Sequence, residues 1–278
     1  MRNPLRLIWA VAFIALVSSE KAQAHAGDHR TLAELDAIIE ESPAEAALLV
    51  ARGALYSRSG QWDKAERDLR LAETLGSKED VAFEFGQLYF RRGDHQKALG
   101  YIDSYIGAYP NYPPAFLLRA RAAGEAKQFD LANESYDTYF SLSPDPQPGE
   151  YLAAARLLAS TKPAGINSAL VLLDMAISKL GLNPQLQRYA MQLELRRDNT
   201  EGALDRWYSL EGQLGETPEW GITLARLLIL ADSVDEAGLV VQTVKGRLVR
   251  LRQTPARKAA GETIARLERQ LDEVRTSH

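Results

Sequence analysis

The feature that most constrains this chain is an internal period. Six alanines, Ala65, Ala98, Ala132, Ala169, Ala203 and Ala237, stand 33, 34, 37, 34 and 34 residues apart. Each follows a short polar turn. Three of these segments align at once: Gly60-Gln61-Trp62-Asp63-Lys64-Ala65, Gly93-Asp94-His95-Gln96-Lys97-Ala98 and Lys127-Gln128-Phe129-Asp130-Leu131-Ala132. Asn167-Ser168, Asn199-Thr200-Glu201-Gly202 and Ser233-Val234-Asp235-Glu236 precede the other three. A fixed period of this size marks one supersecondary unit stacked on copies of itself, each burying its apolar face on the next. Neither one large domain nor two ordinary ones fits that pattern.

Within each unit the apolar residues fall at helical spacing. Ala65, Leu69, Ala72 and Leu75 share one face of the stretch 63–75. No segment shows sustained period-2 alternation bounded by turns, so no strand is expected. Pro110, Pro144, Pro184 and Pro218 punctuate unit ends, since proline cannot continue a helix interior but suits a first turn. The one long interval contains Thr161-Lys162-Pro163-Ala164-Gly165, which reads as a lengthened turn inside the fourth unit. A boundary between two three-repeat blocks is the alternative, and a continuous stack is preferred because the phase recovers at once.

Over residues 44–250 the chain resembles the tetratricopeptide repeat family, whose unit is a 34-residue helix–turn–helix. Gly53, Tyr56, Ala65, Leu69 and Ala72 match in the first repeat, Gly86, Tyr89, Ala98 and Pro110 in the second, Ala120, Ala132, Tyr136 and Pro144 in the third. Leu49 and Phe116 replace the family's first-helix Trp, and Tyr105 and Tyr139 its last small residue. Later repeats are looser, with Trp207 and Val241 at the aromatic position and Met191 at a small one. The resemblance implies an all-α, right-handed α-solenoid of about six repeats at 44–254. Residues 31–43 and 255–278 are expected as a capping helix at each end, the second carrying the stripe Ala260, Ile264, Leu267, Leu271 and Val274.

The first residues read as an address. Arg2 and Arg6 precede an apolar run from Leu7 to Val17, and Ala22-Gln23-Ala24 supplies an A-x-A site. That is the pattern of a secretory signal peptide, with a run too short to span a bilayer. Cleavage is expected after Ala24, with a flexible stretch at 25–30, no later transmembrane span, and a location in the periplasm or outside the cell. Removal of the segment leaves 30 basic against 36 acidic residues, more acidic than the −4 of the whole chain. That balance opposes a nucleic-acid partner. The chain has no Cys, which excludes disulfides, thiolate metal sites and a catalytic thiol.

No catalytic constellation is legible. The four His are His25, His29, His95 and His278, and no nucleophile-elbow, zincin, Walker or dinucleotide motif occurs. His95 takes the turn position of Trp62 and Phe129 and reads as a filler. No enzyme activity and no cofactor are expected. A cleaved chain would begin His25-Ala26-Gly27-Asp28-His29, so His25 and His29 are candidate Cu(II) ligands beside a free α-amine.

The remaining candidate is a groove. In the family, first helices line a concave surface, and the projected inward positions are Val50, Ala54 and Arg58; Phe83, Gln87 and Arg91; Leu117 and Arg121; Leu152 and Arg156; Arg188, Gln192 and Arg196; and Ile222, Arg226 and Ile229. Every repeat supplies an arginine, which forks to carboxylates and stacks on aromatics. Such a groove suits an extended acidic peptide. Pairing of the same arginines with neighbouring Glu and Asp is the structural alternative. The family's carboxylate clamp is missing, because Val50 and Ala54 replace its Lys and Asn. The basic cluster Lys245, Arg247, Arg250, Arg252, Arg257 and Lys258 reads as a solvated face or a surface for anionic lipid. The function expected is a non-catalytic exported scaffold or adaptor that holds a protein or peptide partner of the cell envelope. The rival readings are copper handling through His25 and His29, or a groove for a glycan or small acidic ligand with Trp62, Trp207 and Trp220 available for stacking.

Overall fold

The computed structural model describes residues 24–76, 78–161, 165–250 and 254–277, with side chains from Leu32 onward. The signal-peptide reading falls on residues outside this set, apart from Ala24. Among the described residues all regular structure is helical, in fifteen helices and no strand. Helix α1 is Ala24–Glu41, starting ahead of Thr31, so the stretch 25–30 expected to be flexible is helical backbone. Then come three hairpins: α2 (Ala46–Arg58) with α3 (Trp62–Leu75), α4 (Lys78–Arg92) with α5 (His95–Ala108), and α6 (Pro113–Glu125) with α7 (Phe129–Leu142). The next three are α8 (Pro148–Thr161) with α9 (Gly165–Leu180), α10 (Pro184–Arg196) with α11 (Thr200–Tyr208) and the short α12 (Glu211–Leu214), and α13 (Pro218–Leu230) with α14 (Val234–Arg250). Helix α15, Pro255–Ser277, ends the chain.

The period has a direct physical meaning. All six periodic alanines are fully buried, each in the first turns of its hairpin's second helix. In the first, second, third and sixth hairpins the facing position is small for the same reason. A Cβ on Gly86 would stand 2.6 Å from Ile102 Cγ1, and one on Gly53 3.0 Å from Leu69 Cγ. Ala120 and Ala225 hold the corresponding place in their hairpins and are buried. Close approach of two helices requires such residues, and the large ones, Leu69, Phe85, Tyr89 and Trp207 among them, fill the space between.

The turns repeat as faithfully as the core. In each hairpin whose turn is described, one residue is left-handed: Gly60, Gly93, Lys127, Asp198 and Asp232, at φ between 57° and 88°. The next N–H donates back across six residues, from Gln61 to Tyr56, Asp94 to Tyr89, Gln128 to Ala123, Asn199 to Glu194 and Ser233 to Leu228, all at 2.8–2.9 Å. This is the Schellman closure of a helix C-terminus. The second helix then starts under its own cap: the Asp94 carboxylate accepts from Lys97 N–H and the Asn199 amide oxygen from Gly202 N–H.

The chain forms two compact units, divided between Leu142 and Ser143. The division therefore lies between the third and fourth hairpins, not in the Thr161–Gly165 turn. Pro144, Pro146 and Pro148 follow one another there at every second residue, which forbids helix through the junction. In the first unit α1 is tied to the first hairpin by Arg52, which forks to Asp68 at 2.6 and 2.8 Å and reaches Asp36 at 2.7 Å. In the second unit α15 buries Ile264, Leu267 and Leu271 in a core shared with α13 and α14.

The fifth hairpin departs from the rule. Its second helix stops at Tyr208, after nine residues, where α3, α5 and α7 each run fourteen. Leu210 is fully buried at the break, and the chain restarts as α12.

Candidate functional site

Adjacent first helices pack side by side within each unit, α2 on α4 and α4 on α6 in the first, α8 on α10 in the second. Their shared faces carry the positions projected from the sequence. On α4, Phe83, Gln87 and Arg91 lie one turn apart, so they form a row. Phe83 sits in an aromatic cluster, 5.2 Å from the Tyr105 ring and 5.4 Å, edge-on, from Tyr112. Arg91 donates to Gln87 Oε1 at 2.6 Å and to Ser57 Oγ at 3.0 Å, and Gln87 Nε2 donates to Glu84 Oε1 at 3.1 Å. Glu84, absent from the sequence-based set, thus belongs to this surface. Desolvation pushes its carboxyl above the usual carboxylate range, and Arg91 and Arg58 pull it partly back. Burial likewise lowers Arg91, with Glu84 opposing. The row on α4 is a self-satisfied polar network.

Its neighbours are different. Arg121, on α6, is exposed and makes no hydrogen bond or ion pair among the described residues, while Leu117 one turn before it is half-buried. Arg58 is exposed at the end of α2. Val50 and Ala54 are half-buried beside it.

In the second unit the projected residues divide by role. Arg156 lies over the Tyr189 ring at 5.6 Å and is exposed, with Leu152 half-buried one turn before it. Gln192 is exposed. Arg188 is committed to structure: it pairs with Glu219 at 2.6 Å and lies over Trp207 at 5.7 Å. Arg196 donates to the Ala159 carbonyl at 2.9 Å, tying α10 to α8. Ile222 is buried in the core. Arg226 and Ile229, by contrast, line an open cavity of about 400 Å³ together with Leu230 and with Thr263, Arg266, Leu267 and Gln270 of α15. Neither Arg226 nor Arg266 has a carboxylate partner among the described residues; Arg266 donates only to Thr263 Oγ1 at 3.1 Å. The α15 stripe reads in the sequence as a seal for the core, with partner binding or a coiled coil as the alternative, and neither reading sets its flank beside Arg226. Thr263, Arg266 and Gln270 flank that stripe and were visible in the same helical register.

The other candidates separate from this surface. Trp207 and Trp220 are buried and hydrogen-bonded to each other's backbone, which commits both indole N–H groups to the fold. His95 is half-buried, edge-on to Phe90 at 5.7 Å, as a turn filler would be. The side chains of His25 and His29 lie outside the described residues. Among the described residues no group of His, Asp and Glu converges as a metal would need. The basic cluster is dispersed: Lys245 pairs with Glu268 at 2.7 Å and Arg247 with Glu216 at 3.2 Å, and Arg252 lies outside the described residues. No helix among the described residues is long and apolar enough to cross a membrane.

Helical hairpins stacked through small residues at a 34-residue period define the tetratricopeptide-repeat α-solenoid fold, and solved structures agree. The C-terminal part of a TPR repeat-containing protein from Cytophaga hutchinsonii matches with a TM-score of 0.65 at 9% identity, over 84% of this chain and 94% of that one. PilF of Pseudomonas aeruginosa matches at 0.54 and 17% identity, over 70% and 88%. A tetratricopeptide repeat protein from Parabacteroides merdae matches at 0.51 and 15%, over 84% and 91%. No family model matches the sequence, and no curated protein does.

Proposed function

We propose that this protein is an exported, non-catalytic scaffold that holds an extended acidic segment of a partner protein, within the cell envelope, on the inner faces of its first helices. The observation that carries the reading is Arg226. It stands beside apolar Ile229 and Leu230 in a cavity of about 400 Å³ that Arg266 also lines, with no anion among the described lining residues. Arginines that serve the fold have partners within it: Arg52 and Arg206 find carboxylates, and Arg196 the Ala159 carbonyl. One that lines an open apolar cavity without a partner suits a carboxylate from elsewhere, held by charge-assisted hydrogen bonds. Arg156 offers the same chemistry on another first helix of the second unit, and Arg121 offers it separately within the first.

The experiment is a pull-down from the native envelope with wild type and with the Arg121→Glu/Arg156→Glu/Arg226→Glu variant. A specific protein partner captured by the first and lost by the second is expected. Capture unaffected by the charge reversals would remove the groove from the reading. Export rests on Arg2, Arg6, the run Leu7–Val17 and the Ala22-Gln23-Ala24 site. N-terminal sequencing of the protein recovered from its host is expected to start at His25.

A further inference from the structure

The early end of α11 leaves the following hairpin uncovered on one side. Between α11–α12 and α13–α14 lies an open groove of about 590 Å³. Its apolar part includes Trp220, Leu239 and Val240, and Leu239 is 66% exposed. Its rim carries Glu211, Glu216 and Glu236. Glu216 is paired with Arg247, the one cation among the lining residues, which also donates to the Gly215 carbonyl at 2.8 Å. Glu211 and Glu236 have no ion-pair partner among the described residues. They bracket Tyr208 closely enough that, after burial, they are what holds its phenol above the usual range.

This groove is separate from the arginine cavity. At 3.6 residues per turn, Trp220, Gly221, Leu224 and Leu228 fall on one side of α13 and Arg226, Ile229 and Leu230 on the other. The two surfaces also have opposite sign. An apolar trough edged by unpaired carboxylates is complementary to a segment with apolar side chains on one face and Lys or Arg beside them.

We infer that the groove between α11–α12 and α13–α14 is a second docking surface, which takes a cationic amphipathic segment of a partner protein. A protein so built joins two partners of opposite charge through the two faces of one helix.

The test uses the whole chain and two labelled helical peptides. One has Leu at i, i+3, i+4 and i+7 with Lys elsewhere; the other has Glu in place of Lys. Fluorescence anisotropy is expected to show saturable one-to-one binding of the Lys peptide. Gly212→Phe serves as the blocking variant. Gly212 lines the groove, its φ is not in the left-handed region, and a Cβ there meets nothing within 4 Å, so the backbone accepts a side chain at this position. Gly212→Phe and the Glu211→Lys/Glu236→Lys pair should each weaken the Lys peptide by about tenfold or more, the scale of one lost charge-assisted contact. Arg226→Glu should leave it unchanged. Thermal melts verify that each variant is folded. No binding by wild type, or binding indifferent to Gly212→Phe, overturns the inference. A dimer that Gly212→Phe dissolves also overturns it, in favour of a second copy as occupant.

Discussion

Trp207 and Trp220 exchange hydrogen bonds. The Trp207 indole N–H donates to the Trp220 carbonyl at 2.9 Å, and the Trp220 indole N–H donates to the Trp207 carbonyl at 3.3 Å. Both rings are buried. The clasp joins the end of α11 to the first turn of α13 at the point where α11 breaks off. Replacing either Trp by Phe removes one donor and some buried volume, which costs about 1–3 kcal/mol. The double variant is expected to lose less than the sum, because the pair acts as one unit. Urea unfolding of the four proteins measures the coupling; strict additivity would show the two bonds to be independent.

The left-handed turn residues give a prediction with a sign. Gly60 and Gly93 meet the conformation without a Cβ, while Lys127, Asp198 and Asp232 carry one. A side chain in that region costs roughly 1 kcal/mol. Lys127→Gly should therefore stabilise the protein by about that amount, and Gly93→Ala should destabilise it equally. Thermal unfolding of both variants checks the pair.

Two helical glycines should respond in opposite directions. Gly86→Val drives side-chain atoms into Ile102 and is expected to cost about 1–3 kcal/mol by overpacking. Gly100 is exposed within α5, and a Cβ there meets nothing within 4 Å. Gly100→Ala should raise stability by about 0.5–1 kcal/mol through helix propensity alone. If Gly86→Val costs no stability in a melt, the close-approach account of Gly86 is wrong; if Gly100→Ala costs stability, the propensity account is.

Glu84 makes stability depend on pH. Its carboxyl lies above the usual range in the folded protein because it is desolvated. Between the usual carboxylate range and that raised value, the folded state keeps a proton that the unfolded chain has released. Stability then falls as pH rises through the window, and the deficit persists at neutral pH. Glu84→Gln keeps the acceptor for Gln87 and removes the titration. It should be more stable than wild type at neutral pH, with the difference vanishing once the pH drops below the usual carboxylate range. A difference that grows toward acid would reverse the assignment.

The groove was only partly legible in the sequence. Helical register located Phe83, Gln87, Arg91, Arg121, Arg156 and Arg226 on first helices, because that register depends on spacing alone. It could not separate Arg226, which lines a cavity, from Arg188, which is spent on Glu219 and Trp207. That distinction depends on residues 19 positions or more away in sequence, brought near by stacking. Glu84 is indistinct in the sequence for the same reason: a carboxylate among dozens stands out only when its neighbours desolvate it.

By itself the sequence determined the hairpin. The spacing of six alanines, the small residues opposite them and the left-handed turns specify local contacts, and each recurs at 33–37 residues because every copy meets the same neighbour. Only the tertiary structure decided what breaks the period. The truncation of α11 beneath the Trp207–Trp220 clasp and the wall that α15 builds beside Arg226 arise where a repeat meets a neighbour unlike the others. A repeat pattern states what is common to the copies. The candidate surfaces of this protein lie where the copies differ, and there the outcome rests on contacts between distant segments.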